Sequence, residues 1–583
     1  MVMFMKELLL GNEAIARGVQ EAGVGVVAAY PGTPSSEIPM TISKIAQKNG
    51  IYFQWSTNEK VAYEVAFAGS LSGLRSMVTM KHVGLNVAAD AFMASATVGV
   101  DAGLVLVVAD DPSMHSSQNE QDSRYYARLA NIPCIEPCSP QEAKDFTVKA
   151  YEISEEYNLP VMMRTTTRVN HTRGDVELGE IPHREPSPSF KKNVKRFVTV
   201  PSNARVLRKE LLEKMDAVKI SLDTVEGKGP LGIIASGIAY NYVKEAVALL
   251  DVEAEIYKCV VTHPLSARIA DFLAAHDEVI VVEELEPVVE TEVRAIAQKK
   301  GISVTIIGKE IIPRAFELNT TRVLSGLAHY KNVPHESVTA FSIPVRPPVL
   351  CPGCPHRATF YAMKKAAPKG IYPSDIGCYT LGVVPPVSAV DTCFCMGASI
   401  GVSCGLSEFV DDEVICSIGD STFMHTGLPA LVNAVYNQHA FVIVVLDNET
   451  TAMTGHQPHP GTGVTGMGEV VPKVYPETIA RAMGIHTDVV DPHDVEKTVK
   501  VLKEAVKSKE LRMVVARHPC IFVEGGEPGE PYTVSEECTG CGLCVNRLGC
   551  PAIELRDGKA FINELCTGCG VCAQLCPAQA IER

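Results

Sequence analysis

The chain alternates short apolar runs with longer amphipathic ones. Residues 1 to about 185 read VGVVAAYPG, NEKVAYEVAFAGSLSGL, GLVLVVADD, QEAKDFTVKAYEISEEY and LPVMMRTTT, strand-like and helix-like in turn. Such alternation predicts an α/β domain on a mostly parallel sheet. Between about 174 and 225 the chain turns polar and Pro/Ser-rich (HREPSPSFKKNVKRF), which predicts a connection holding one helix. A second α/β unit starts at GPLGIIASGIAYNYVKEAVALL and runs through EVIVVEELEPVVE to SVTIIGKE, three strands with helices between them. A third places strands at EVICSIGD, FVIVVLDN and RMVVARHP, and after the linker VEGGEPGEPY a cysteine-rich module closes the chain. The expected domains are 1–185, 186–345, 346–525 and 526–583.

At 583 residues the chain exceeds what one core supports, so several domains are required. No apolar run approaches the roughly 18 residues that span a bilayer. The opening MVMFMKELLLGNEAIARG lacks the pattern of a cleaved signal. A cytoplasmic protein without a membrane partner is expected. The net charge of −15 comes with no basic stripe to displace counterions from phosphates, which argues against nucleic acid.

Nineteen cysteines are many for a reducing compartment, and eight crowd into Cys538–Cys576, which points to metal rather than disulfides. Cys566, Cys569, Cys572 and Cys576-Pro577 match the bacterial ferredoxin spacing C-x2-C-x2-C-x3-C-P. Cys538, Cys541, Cys544 and Cys550-Pro551 match it except that five residues, not three, precede the last cysteine. In this pattern the cysteine before proline serves the opposite cluster. One [4Fe-4S] cluster is therefore assigned to Cys538, Cys541, Cys544 and Cys576, the other to Cys566, Cys569, Cys572 and Cys550. Zinc also uses C-x2-C pairs, but leaves the duplicated fourfold pattern unexplained.

Strand EVICSIGD ends in Gly419-Asp420-Ser421, and FVIVVLDN ends in Asp447-Asn448. A carboxylate and an amide oxygen at the carboxyl ends of two strands suit Mg²⁺. Gly-Asp-Ser alone is a common turn. The pair resembles the thiamine diphosphate signature, which implies Asp420, Asn448 and the Thr450 carbonyl as Mg²⁺ ligands and Gly419 and Ser421 beside the diphosphate. Such enzymes need a glutamate against the aminopyrimidine ring. Glu59, opening the helix of STNEKVAYEVAFAG, is the candidate, with Glu64 as the alternative, and a helix-start glutamate favoured by the macrodipole is the plainer reading.

With LLLGNEAIARG, YPGTPSSEI, NEKVAYE, CPGCPHR, SDIGCYTLG, GDSTFMHTG, LDNETTAMTGHQPHPG and the double-cluster tail in one order, the chain resembles the ferredoxin-dependent 2-oxoacid oxidoreductases over its whole length. The resemblance implies two thiamine-diphosphate-binding-type domains, a transketolase C-terminal-like α/β domain and a C-terminal bacterial 2[4Fe-4S] ferredoxin-like domain. It further implies oxidative decarboxylation of an arylpyruvate such as indolepyruvate, with acyl transfer to coenzyme A and single electrons passed to ferredoxin. Thr33 is implied near the substrate carboxylate, although PGTPSS also reads as a turn with Ser35 or Ser36 as N-cap. Lys81 and His82 either contact substrate or edge a strand. His356 is implied at the cofactor, and Cys351, Cys354, Cys378 and Cys520 as ligands of a third cluster. Cys404 and Cys416 read as buried hydrophobes. A further domain of pyruvate-type relatives is missing, so a small β subunit in an α2β2 assembly is expected. No motif marks a coenzyme A site.

Overall fold

The computed structural model describes residues 5–182, 188–333, 343–344, 346–523 and 529–583. The chain divides into two compact units, 1–342 and 343–583. The expected boundaries at 185, 345 and 525, and half of the linker VEGGEPGEPY, lie outside the described residues.

In the first unit, strands Val26–Ala29, Ser76–Lys81, Leu104–Asp110 and Val161–Thr166 are buried along their whole length, as strands covered on both faces must be. They pair in parallel within a seven-stranded sheet. Its order is Val261–His263, Cys134–Ile135, Val161–Thr166, Leu104–Asp110, Ser76–Lys81, Val26–Ala29, Tyr52–Trp55. The first of these strands comes from the second α/β segment and runs antiparallel to Cys134–Ile135. The two segments thus share a sheet edge.

The second sheet has five strands rather than three, in the order Thr305–Ile307, Glu278–Val282, Leu231–Ser236, Ala254–Cys259, Thr224–Gly227. The two extra strands, AEIYKC and TVEG, mix charged with apolar residues because they lie toward one edge. The polar connection holds two helices, Val194–Phe197 and Pro201–Ala217. Ser36 occupies the N-cap position of helix Glu37–Ile45 but makes no side-chain cap, and the Ser35 hydroxyl instead donates 2.7 Å back to the Gly32 carbonyl. The capping reading of both serines therefore fails.

A buried charge network ties the two sheets together. Arg124 donates to Asp122 at 2.9 Å and to Glu283 at 2.6 Å, the latter just past strand Glu278–Val282. Arg164 donates to Asp110 and Glu136, both at 2.8 Å.

The second unit is built on an all-parallel sheet ordered Ile415–Gly419, Val442–Asp447, Arg512–Arg517, His486–Val490. The cysteine-rich end folds as two short ribbons, Thr533–Val534 with Ile581–Glu582 and Ile553–Arg556 with Lys559–Ile562. Helices Leu543–Asn546 and Val571–Leu575 start within the two cysteine motifs. Among the described residues no helix is long and apolar enough to cross a membrane.

Removing one member of a buried ion pair strands its partners. Arg124→Met is expected to cost about 3–5 kcal/mol, read as a lower midpoint of chemical unfolding and reduced soluble yield.

Candidate functional site

Register in the second unit's sheet brings the catalytic candidates together. Gly419 pairs with Leu446, and Asp447 with Arg517, so the chain leaves three neighbouring strands at one edge carrying Asp420, Asn448 and Cys520. Asp420 is buried. Its Oδ1 accepts from the Ser421 amide at 2.7 Å and its Oδ2 from the Asn448 amide at 3.2 Å. His459 Nε2 stands 3.2 Å from the same Oδ2, charge-paired but out of line for a hydrogen bond. Burial raises the Asp420 carboxyl, but the charge and close approach of His459 and the bond from the Ser421 amide outweigh it and hold it below the ordinary range. Asp447 behaves oppositely: burial and then the charge of Asp420 push it up to about 6. Its Oδ2 accepts from Arg517 Nε at 2.6 Å, and Arg517 also forks onto Glu477 at 3.0 and 2.8 Å. Asp447 is therefore committed to structure, while Asp420 presents a low-pKa carboxylate. With Asn448 and Thr450, both buried, this is a hard-oxygen donor set that fits Mg²⁺. His356 is buried, and burial pushes it down to about 4 against the pull of Asp420.

Twelve of the nineteen cysteines fall into three groups of four. Cys538, Cys541, Cys544 and Cys576 line one cavity of about 340 Å³, and Cys550, Cys566, Cys569 and Cys572 line another of about 470 Å³. The crossover of the cysteine before each proline is present in both. Backbone amides donate to the sulfurs of Cys538, Cys566 and Cys576 at 3.4, 3.5 and 3.3 Å, as cluster thiolates require. Among the described residues no three of these sulfurs lie within 4.8 Å of one another. Four thiolates on one zinc ion, each at about 2.3 Å, would be closer. Cys351, Cys354, Cys378 and Cys520 form the third group, each within electrostatic range of others in the set. Burial raises Cys354 to about 12 and Cys378 to about 11, which suits thiols that ionise only on binding iron. Cys520 is placed by its amide, which donates 3.0 Å to the Asn448 carbonyl. Cys404 and Cys416 are buried in an apolar cluster.

In the first unit, Glu59 is buried at the start of helix Glu59–Leu71, capped by Asn58 accepting from Val61 at 2.9 Å. Glu64, the alternative, is exposed and paired with Lys60. A side chain at Gly84 would meet Glu59 Oε1 at 2.5 Å, so this glycine makes room for the carboxylate. Lys81 is buried across the Thr33 loop: a Cβ at Gly32 would touch its Cγ at 3.0 Å, and its Nζ donates 2.9 Å to the Ser116 carbonyl. Burial pushes Lys81 down to about 8 against the charges of Asp111 and Glu59. The Ser116 hydroxyl donates 3.0 Å to the Thr33 carbonyl, and Asn12 donates 2.8 Å to the Pro34 carbonyl. Thr33, Glu59 and Lys81 thus gather at the carboxyl edge of this sheet. His82 turns away, its Nε2 3.1 Å from the Asn119 carbonyl.

Three family models match: "Pyruvate flavodoxin/ferredoxin oxidoreductase, thiamine diP-bdg" over 17–212, "Thiamine pyrophosphate enzyme, C-terminal TPP binding domain" over 375–516, and "4Fe-4S binding domain" over 560–582. The "Indolepyruvate oxidoreductase subunit IorA" of Methanothermobacter marburgensis is 48% identical over 98% of this chain and 97% of that protein. The chain belongs to the indolepyruvate ferredoxin oxidoreductase α-subunit family. The proteins of the same name in Thermococcus kodakarensis and Archaeoglobus fulgidus are 48% and 46% identical, over 94% and 99% of this chain and 92% and 97% of theirs. The family is one of 2-oxoacid:ferredoxin oxidoreductases, which binds thiamine diphosphate and carries iron–sulfur clusters.

For this family member, sequence reasoning missed the partners that set the chemistry. Arg517 and Glu477 lie outside the motifs, while His459 in LDNETTAMTGHQPHPG and Asp375 in SDIGCYTLG lie inside them without a role assigned; Asp375 is pushed up to about 6 by burial and accepts from the Ser399 amide at 3.2 Å. The two histidines of HQPHPG were the signal for His459. Gly84→Ala is expected to overpack the Glu59 pocket by about 1–3 kcal/mol, lowering 2-oxoacid-dependent dye reduction while leaving iron content unchanged.

Proposed function

We propose that this chain is the catalytic subunit of an enzyme that oxidatively decarboxylates arylpyruvates, indolepyruvate among them, to the aryl-acetyl-CoA and CO2, with ferredoxin as acceptor. The observation that carries the reading is a buried, low-pKa Asp420 at a parallel strand end in the same unit as cysteine-lined cavities. The names of the relatives support the aromatic substrate.

In this reading Asp420, Asn448 and Thr450 hold Mg²⁺, with Gly419, Ser421 and His356 beside the diphosphate. Thiamine diphosphate, when bound, supplies the carbanion chemistry that releases CO2. Glu59 holds a proton-sharing hydrogen bond to the aminopyrimidine, Thr33 positions the substrate carboxylate, and Lys81 supplies the cation that pairs with it. Two [4Fe-4S] clusters occupy the two cavities, and a third sits on Cys351, Cys354, Cys378 and Cys520. A small β subunit completes an α2β2 assembly in the cytoplasm.

Anaerobic viologen reduction by the whole complex with a panel of 2-oxoacids tests the reading. Indolepyruvate and phenylpyruvate are expected to lead, and a pyruvate rate orders of magnitude above every aromatic acid would overturn it. Lys81 is cationic below its lowered pKa of about 8, so kcat/KM is expected to fall as pH rises through about 8. Lys81→Gln should lose that limb and raise KM on the order of ten- to a hundredfold, the range of a hydrogen bond to a charged group.

A further inference from the structure

The cysteine-rich module departs from its own repeat at one place: Val545–Gly549 puts five residues before Cys550, where three precede Cys576. The extra length reaches Arg357, which follows the C-P-G-C motif in helix Pro355–Ala366. Arg357 Nη1 donates to the carbonyls of Leu548 at 2.7 Å and Gly549 at 2.6 Å. Its Nη2 donates to the Leu350 carbonyl and, at 3.4 Å, to that of Cys351. One guanidinium thus clamps the approach to Cys351 onto the approach to Cys550.

Three further observations converge on this junction. The cavity walled by Cys550, Cys566, Cys569 and Cys572 is also lined by Pro352, Gly353, Cys354 and Arg357, so the second and third cysteine sets share a wall. Both backbones approach through glycines: a Cβ at Gly353 would fall 2.1 Å from Thr567 Oγ1, and one at Gly549 2.5 Å from Pro386. Finally, Arg357 Nε is buried and has no partner among the described residues. An unspent N–H donor beside a thiol-lined cavity suits the sulfurs of a cluster, which accept such bonds.

We propose that Arg357, held by the two extra residues of the Cys544–Cys550 loop, is a positioning residue for electron transfer. It fixes the C-P-G-C loop so that the cluster on Cys351, Cys354, Cys378 and Cys520 hands electrons to the one on Cys550, Cys566, Cys569 and Cys572. Each crossing oxidises the donor by one electron and reduces the acceptor by one, with no bond made or broken. Two crossings clear the electron pair released by decarboxylation. The inference rests on the third cluster proposed above.

The test is iron analysis and an anaerobic redox titration followed by electron paramagnetic resonance on the whole complex. Wild type is expected to hold about twelve irons per chain, with the donor cluster's signal broadening as its neighbour is reduced. Arg357→Met is expected to keep its iron yet lose that broadening, Arg357→Lys to recover part of it, and Gly549→Ala, which pushes the loop off Pro386, to weaken it. A merely structural role would change stability or iron content without changing coupling in loaded molecules. About eight irons in wild type would overturn the third cluster and this inference with it. Twelve irons with no broadening in wild type, or with unchanged broadening in both Arg357→Met and Gly549→Ala, would overturn the inference alone. If Arg357→Met loses iron, Gly549→Ala decides in the same terms, and loss of iron in both would make the junction a ligand-holding device and sink the positioning role.

Discussion

Parallel register in the second unit is the constraint on which its chemistry depends. Parallel strands end on one edge, and side chains just past those ends must share the space there. The pairing of Gly419 with Leu446 and of Asp447 with Arg517 places two carboxylates, Asp420 and Asp447, side by side in a buried corner. Both cannot be ionised there without a counter-charge. Arg517 supplies it to Asp447 at 2.6 Å and is itself braced by Glu477, while Asp420 faces His459 and two amides. The same edge continues to Cys520, hydrogen-bonded to the carbonyl of Asn448. A shift of one residue in this register would therefore disturb the Mg²⁺ candidates and the proposed cluster ligand Cys520 together.

The first unit solves a related problem differently. Its carboxyl edge gathers Lys81, Asp110 and Asp111 at the ends of two neighbouring strands, and burying them requires partners on every side. Arg164 and Ser123 take Asp110, while Asp111 accepts from Ser116, Ser117 and Thr167. Lys81 is left with one carbonyl at 2.9 Å, and burial lowers its pKa against the charges of Asp111 and Glu59. A cation so placed, behind a loop fixed by Asn12 and Ser116, is poised for an incoming anion without large rearrangement.

Much of this was legible in the chain because the signals are local. Cysteine ligands fall within a few residues of one another, so spacing alone assigns Cys538, Cys541, Cys544 and Cys576 to one cavity and Cys550, Cys566, Cys569 and Cys572 to another. Asp420 and Asn448 stand at the ends of continuous apolar runs, and such runs announce buried parallel strands. What stayed hidden is set by contacts across long separations. Nothing near Val261–His263 says that it pairs with Cys134–Ile135, and nothing near Arg517 says that it binds Asp447 rather than solvent. The strand Thr224–Gly227 escaped because an edge position tolerates charge, which blurs the alternation that marks a strand, and Ala254–Cys259 because Glu255 and Lys258 interrupt its apolar run. The two serines of PGTPSS misled because capping preferences are short-range, and the turn back to Gly32 satisfied Ser35 first.

The partners of Arg357 show how a buried cation can remain electrostatically useful. The other two buried arginines among the described residues, Arg124 and Arg164, meet carboxylates, which cancels their charge as well as solvating it. Arg357 meets backbone carbonyls from Leu350, Cys351, Leu548 and Gly549 instead. Carbonyl dipoles offset much of the desolvation cost without removing the net positive charge. That charge faces the sulfurs of Cys550, Cys354, Cys351 and Cys569, groups that become anionic once iron is bound. A carboxylate at the same place would have stabilised the guanidinium equally well and neutralised it toward both clusters. A methionine would have packed without desolvation cost. The combination of a cation, four carbonyl acceptors and a longer loop to supply two of them is what folding stability alone would not select, and it fits the two neighbouring anionic clusters proposed for this junction.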